Sequence, residues 1–329
     1  MASCAMKQHL RHHLQFVSLT QTCSSLYITA WHKWNVTWLP TPLQRIFATI
    51  GLLPLIVHRS LLENDNLLGT PPHVDPKGRK PPPEGGCPFR PDDGYGTDVN
   101  NPTASMDGAP IGRNMPAVPK HLRNHRGAPD VQLVAQRLLA REDFVPAGEQ
   151  LNITAAAWIQ AMVHDWIQHE DGAKTSLENE KLGPECPLKK FNFFETKERS
   201  DGHFNSKRTQ WWDASFVYGQ NSEQVKASRA GEGGKMRIDE KSPDVLPSRS
   251  DGTDYTGDNS NSWVGVTVLQ LLFLKEHNYC AEKIAEQNPG LTDDEIFGYA
   301  RNIISALTAK IHTVDWTCEL LKTEQLRIG

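Results

Sequence analysis

The chain has 329 residues, 38% of them hydrophobic, and a mean hydropathy of -0.52, which excludes a polytopic membrane protein and leaves mass for about two domains' worth of core. Lys+Arg 35 against Asp+Glu 39 give a formal charge of -4, so there is no electrostatic footprint for nucleic acid. The six cysteines at 4, 23, 87, 186, 280 and 318 never fall as Cys-x-x-Cys, which argues against a zinc site or a dense disulfide scaffold; free thiols in a reducing, intracellular compartment fit, with one or two disulfides left open.

In chain order, residues 1–69 come first. They hold no acidic residue before Glu63, carry Lys7, Arg11, Lys33, Arg45 and Arg59, and contain Trp31, Trp34, Trp38 and the apolar run Ile46–Val57. That run is broken by Pro54 and is shorter than the ~20 residues a spanning helix needs. A basic, Trp-rich helical segment suits either a membrane or lipid surface or the body of the protein. Residues 70–125 form a Pro/Gly-rich arm, with 12 of the 22 prolines between 70 and 119. Its anchoring apolar residues, as in Cys87-Pro88-Phe89-Arg90-Pro91, favour an arm wrapped on the surface. From 126 to 329 the pattern is mainly α. Helices are expected at Val131–Leu139, at Gln150–Asp171 with Gly172 just past its end, and at Val264–Gln287. The near-continuous apolar run of that last helix predicts burial all round. Thr292-Asp293-Asp294-Glu295 is a capping box opening a helix to about Lys322. No alternating strand set stands out.

Two stretches could carry chemistry. In Trp158-Ile159-Gln160-Ala161-Met162-Val163-His164-Asp165-Trp166, Gln160 and His164 are one helical turn apart and share a face. Ala155, Ala156, Ala157 and Ala161 would let a flat object approach. A neutral imidazole with such a partner suits peroxide activation, in which it takes a proton and returns it to the leaving oxygen. By itself the histidine reads more readily as a satisfied core residue. In Arg208-Thr209-Gln210-Trp211-Trp212-Asp213-Ala214-Ser215, alternation in an extended loop would put Thr209, Trp211, Asp213 and Ser215 on one side. Hydroxyls, a backbone carbonyl and carboxylates, with Asp165 as a second acid, are hard donors suited to calcium. The alternative is a polar turn with an aromatic anchor.

These stretches, followed by Gly257-Asp258 and Leu274-Lys275-Glu276-His277-Asn278, resemble the animal-type haem peroxidase superfamily. Ala309-Lys310-Ile311-His312-Thr313-Val314-Asp315-Trp316-Thr317 and Glu319-Leu320-Leu321-Lys322-Thr323 make the chain similar to the fatty-acid α-dioxygenases, over about residues 140–329. The resemblance implies a haem-peroxidase-like helical domain, haem b against the helix that carries the distal His164 with Gln160, and His169 near the haem. It implies calcium at Asp165, Thr209, Trp211, Asp213 and Ser215, and His312 and Thr317 on the substrate carboxylate. Five residues are ~140° around an α-helix, so those two would flank one head group. The implied activity is oxylipin-forming. Hydrogen peroxide activates the haem, a tyrosyl radical removes a hydrogen beside the carboxyl of a fatty acid, and O2 adds to give a 2-hydroperoxy acid.

Two features depart from that pattern. The family sets its radical tyrosine three residues before the proximal histidine, and none of the six tyrosines here is so followed. The sequence therefore reads as the N-terminal part of such a domain, truncated and inactive alone. Peroxidase branches carry an arginine two residues after Gly-Asp, where this chain has Ser260. The alternatives are a haem peroxidase of the same fold or a non-catalytic calcium-binding half-domain.

Overall fold

The structure, a computed structural model, describes residues 72–83, 88–89, 91–112, 151–178, 190–257 and 262–320, with isolated residues at 40–46 and 133–146. Expectations for the segment 1–69, for the helix Val131–Leu139 and for Asp258 and Ser260 lie outside the described residues. The chain forms two compact units, Met1–Leu68 with Thr313–Gly329, and Gly69–His312. The larger unit holds the sheet and the helices described between Ile153 and Lys310, whereas residues 313–320 belong to the smaller one.

Helices dominate the described residues, beside one two-stranded sheet. Helix α1 spans Ile153–Trp166, and its Asn152 cap accepts the Ala155 N–H at 3.1 Å. It ends earlier than the expected Asp171, because the following residues are captured by a distant segment. Ile167 is extended, His169 pairs with Ser206, and Lys207 N–H donates to Gln168 O at 2.6 Å. Gly172 is accordingly not a helix terminator. It lies in strand β1 (Asp171–Glu178), which runs antiparallel to β2 (Lys190–Thr196).

Two short helices follow, α2 (Ser215–Tyr218) and α3 (Ser222–Ser228), and then α4 (Val264–Gln287) with the expected bounds. Burial of α4 all round is corrected. Val266, Phe273, Leu274, His277 and Ala281 face inward, but Val264 is 71%, Val268 49% and Leu272 56% exposed. Helix α5 (Asp293–Lys310) packs against α4 together with α1 and α2, and the three leave its i, i+4, i+8 stripe without a partner among the described residues.

Helix α5 begins at the predicted capping box: Glu295 N–H donates to Thr292 Oγ1, and Thr292 N–H to Glu295 Oε2 at 2.8 Å. Ala281, Ile296 and Ala300 lock α4 to α5. Residues Ile311–Thr317 then wind as a π-helix before a last turn, α6 (Cys318–Leu320). Both described cysteines, Cys280 and Cys318, are free thiols.

The described residues 88–111 of the Pro-rich arm are bonded to the body at several points. Gly108 N–H donates to Ser206 O (2.7 Å), Ile111 N–H to Phe204 O (2.8 Å) and Gln210 N–H to Ser105 O (3.0 Å). Phe89 meets the Tyr299 ring edge-on at 5.0 Å, and Asp92 pairs with the buried Arg301 at 2.6 Å. The turn at 231–236 depends on Gly234, whose φ is +66° and whose added Cβ would sit 2.6 Å from Phe297 N. Its N–H donates to Asp293 at the head of α5, and Asn278 exchanges two side-chain bonds with the Met236 backbone.

Candidate active site and cation loop

Helix α1 buries Ala157, Ala161, His164 and Asp165 and leaves Ile159 and Val163 exposed, with Gln160 between. The periodicity that puts Gln160 and His164 on one face turns the adjacent Asp165 about 100° further round the helix, where it is fully buried. Gln160 is held across the helix pair, its Oε1 accepting the Trp263 indole N–H at 2.7 Å.

On the buried side, Asp165 meets the 208–215 loop. Ser215 Oγ donates to Asp165 O at 3.1 Å and to Asp165 Oδ1 at 3.3 Å, and Phe216 N–H donates to the same Oδ1 at 3.4 Å. Asp213 accepts from Thr209 Oγ1 on Oδ2 and from Ser215 N–H on Oδ1 at 3.1 Å. The oxygens do not converge through strand-like alternation. A turn brings them together: Asp213 N–H bonds Trp211 O at 2.9 Å, and the buried Ala214 takes a left-handed φ of 57°. That conformation is unusual without glycine, and the surrounding contacts must hold it.

Two buried carboxylates now face one another. Burial first, and then the Asp213 charge, push the Asp165 pKa upward. Asp165 Oδ2 has no hydrogen-bond partner, an expensive state for a buried acceptor that a cation would relieve. Among the described residues no three His, Cys, Asp or Glu side chains converge as a metal cluster. The available donors are two carboxylates with hydroxyl and carbonyl oxygens, the hard set that calcium takes.

His312 sits among indoles. Its ring lies 5.2 Å from Trp166, 5.4 Å from Trp212 and 6.4 Å from Trp158, with Trp166 and Trp212 edge-to-face at 4.9 Å. Burial lowers its pKa, favouring a neutral ring that can donate one N–H. The α-helical spacing assumed for His312 and Thr317 does not apply, since Ile311–Thr317 is a π-helix with more residues per turn. Thr317 falls in the smaller unit, half-buried. His169 is not on a helix. It is exposed after α1, with Nδ1 3.1 Å from Thr196 Oγ1 and its ring 6.3 Å from Phe204. The structure thus brings Asp165, Thr209, Asp213 and Ser215 together on one side of α1, with Gln160 on another face.

Sequence reasoning gave no role to three buried polar groups. Arg208 Nη1 donates to Ser215 O at 3.4 Å, and Arg301 Nε to Asp213 O at 3.4 Å, so two cations brace the loop backbone. Arg301 could have been found from its spacing, four residues from both Phe297 and Ser305 on the buried face of α5. The third is His277, whose Nδ1 lies 2.8 Å from Tyr218 OH and whose Nε2 lies 2.9 Å from Gly234 O. A carbonyl only accepts, so Nε2 carries the proton and Nδ1 accepts from the phenol. Burial holds its pKa down at about 4.

Against known proteins, the animal haem peroxidase family model matches residues 89–328. The match reaches back into the Pro-rich arm, well before residue 140 where the motifs become legible. Alpha-dioxygenase PIOX of Oryza sativa subsp. japonica is 42% identical over 316 residues, 92% of this chain and 48% of the relative. Alpha-dioxygenase 1 of Arabidopsis thaliana is 39% identical over 296 residues, 88% of this chain and 45% of the relative. A crystal structure of Oryza sativa fatty acid alpha-dioxygenase with palmitic acid superposes with a TM-score of 0.73 at 41% identity, over 92% of this chain and 49% of that one. This chain spans about half the length of the curated relatives it matches. By the family match it belongs to the animal haem peroxidases, and within them it is similar to the alpha-dioxygenases.

Proposed function

We propose that this chain is the N-terminal, distal-side part of a haem-dependent dioxygenase that adds O2 at the α carbon of fatty acids to give 2-hydroperoxy acids. The observation that carries the reading is the placement of His164 and Gln160 on one face of α1 within a chain 42% identical to an alpha-dioxygenase over 92% of its length. Haem, when bound, supplies the oxidising equivalents. The residues present fit its distal side, an imidazole with a carboxamide one turn away and the small Ala157 and Ala161 beside them. His164 accepts and returns the proton of the peroxide activator, and His169 lies at the edge of the cofactor site. His312, favoured as a neutral ring among Trp158, Trp166 and Trp212, donates to the fatty-acid carboxylate. Asp165, Asp213, Ser215, Thr209 and the Trp211 carbonyl hold calcium, which neutralises the carboxylate pair behind α1 and fixes the helix that carries His164.

The proximal Tyr-x-x-His pattern does not occur in these 329 residues, so we expect no turnover from them alone. The test supplies haem, calcium, palmitic acid, O2 and trace peroxide, and assays 2-hydroperoxypalmitic acid by mass spectrometry. The chain alone should give none, and the chain combined with the remaining half of the rice relative should give product that His164→Ala abolishes. Phenol peroxidation without 2-hydroperoxide from that combination would overturn the reading in favour of a peroxidase.

A further inference from the structure

Gln160 does not hang freely from α1. The Trp263 indole N–H reaches its Oε1 at 2.7 Å. An indole nitrogen only donates, so the atom it meets must be the amide oxygen and not the NH2, whichever way a free amide would turn. The carboxamide is therefore oriented by chemistry, with its NH2 end directed away from the indole.

The indole is itself held. Trp263 is the N-cap of α4, and its carbonyl accepts both from Thr267 N–H (3.1 Å) and from Thr267 Oγ1 (3.3 Å). Two residues on, Gly265 provides the floor. A Cβ there would lie 2.6 Å from Cζ2 of the same ring, so only glycine lets the indole fold back over the first turn of α4. The contacts run without a break from glycine seat to indole to amide oxygen.

We propose that Trp263, seated on Gly265, is the positioning residue that makes Gln160 meet an oxygen or nitrogen ligand beside His164 as a hydrogen-bond donor. The identity of that ligand rests on the haem reading above, whereas the orientation of the amide does not. The indole bond favours the sense in which the NH2 meets the ligand; the opposite sense would present oxygen lone pairs, which repel an anionic ligand.

Two measurements test this, and they fail separately. In the haem-free chain with 15N-labelled tryptophan, the Trp263 indole N–H should be shifted and protected from exchange, and both signatures should vanish in Gln160→Ala and in Gly265→Ala. A Trp263 resonance unmoved by Gln160→Ala overturns the proposal. In the chain combined with the remaining half of the rice relative and loaded with haem, the probe is cyanide, followed by the Soret shift. Trp263→Phe and Gly265→Ala should each weaken it about 2- to 12-fold, the worth of one hydrogen bond. In a Gln160→Ala background Trp263→Phe should then cost nothing more, since its effect passes through that amide. Additive losses would show that Trp263 acts through packing and overturn the proposal. Failure to take up haem counts against the haem reading, and the indole resonance still decides the positioning.

Discussion

Tyr218→Phe removes a single oxygen and leaves the ring in place. The phenyl ring keeps its edge contact with Phe297 at 5.7 Å and stays under the Arg301 guanidinium at 5.1 Å. What is lost is the donor to His277 Nδ1, at a site where both side chains are wholly buried. The imidazole cannot turn round to compensate, because its Nε2–H is committed to Gly234 O. A buried acceptor stripped of its partner costs about 1–3 kcal/mol. At roughly 2–4 °C per kcal/mol for a unit of this size, the melting temperature should fall by several degrees. Urea unfolding at pH 7.5, followed by circular dichroism, reads the difference directly. The same pair predicts an acid limb. The native pKa of His277 is about 4 against an ordinary 6.5, so the folded state binds its proton less readily than the unfolded chain does. Its contribution is complete above pH 6.5 and is lost as pH falls through about 4, a total on the order of 3 kcal/mol. His277→Asn, less stable at neutral pH, should show a shallower loss across that window. Were Tyr218→Phe as stable as the parent to within ~0.5 kcal/mol, or the acid limb unchanged in His277→Asn, the buried relay would have no thermodynamic weight.

Chelation should lower the melting temperature of the parent chain and leave Asp213→Ala unaffected, because the loop then lacks one of its two carboxylates. At a free calcium level one hundred times Kd the effect is about 2.7 kcal/mol, measured as paired melts with calcium and with EGTA. Gly234→Ala places a Cβ against Ile296 and the Phe297 backbone at a φ of +66°, so it should cost about 1–3 kcal/mol in urea unfolding. A neutral result there would mean that the 231–236 turn gives way without straining α5.

What could be read from the sequence was what local rules decide. The capping box at Thr292 and the bounds of α4 follow from side chains within a few residues of one another, and both appear as expected. Gln160, His164 and Asp165 were legible because a helical period fixes their directions. The end of α1 was not, since Gly172 looks like a helix stop while the chain has already been drawn off by Ser206 and Lys207 some 40 residues later. β1, Asp-Gly-Ala-Lys-Thr-Ser-Leu-Glu, has no alternation and owes its pairing to β2, where phenylalanines do alternate with polar residues at first. The 208–215 loop was singled out by its residue types and misread in its geometry. Its convergence depends on an alanine in a left-handed conformation, which no propensity rule would place there. Three tryptophans around His312, drawn from α1 and from the loop before α2, lie beyond any local signal.

The arm's anchors have a consequence for how the protein is made. Asp92 finds Arg301 at a separation of 209 residues, and Pro88 finds Asn302 at 214. Closing a loop that long costs only a little more entropy than closing a shorter one, but it cannot begin until both ends exist. At a synthesis rate of about 5–20 residues per second, the arm leaves the ribosome some 10–40 seconds before α5 can receive it. During that interval the Pro-rich arm lacks its eventual α5 partners, and the ring of Phe89 lacks Tyr299 to cover it. Rigid X-Pro geometry limits what such a stretch can wrongly pair with, because a backbone without N–H donors makes a poor sheet edge. The prolines therefore serve an arm that must wait for α5.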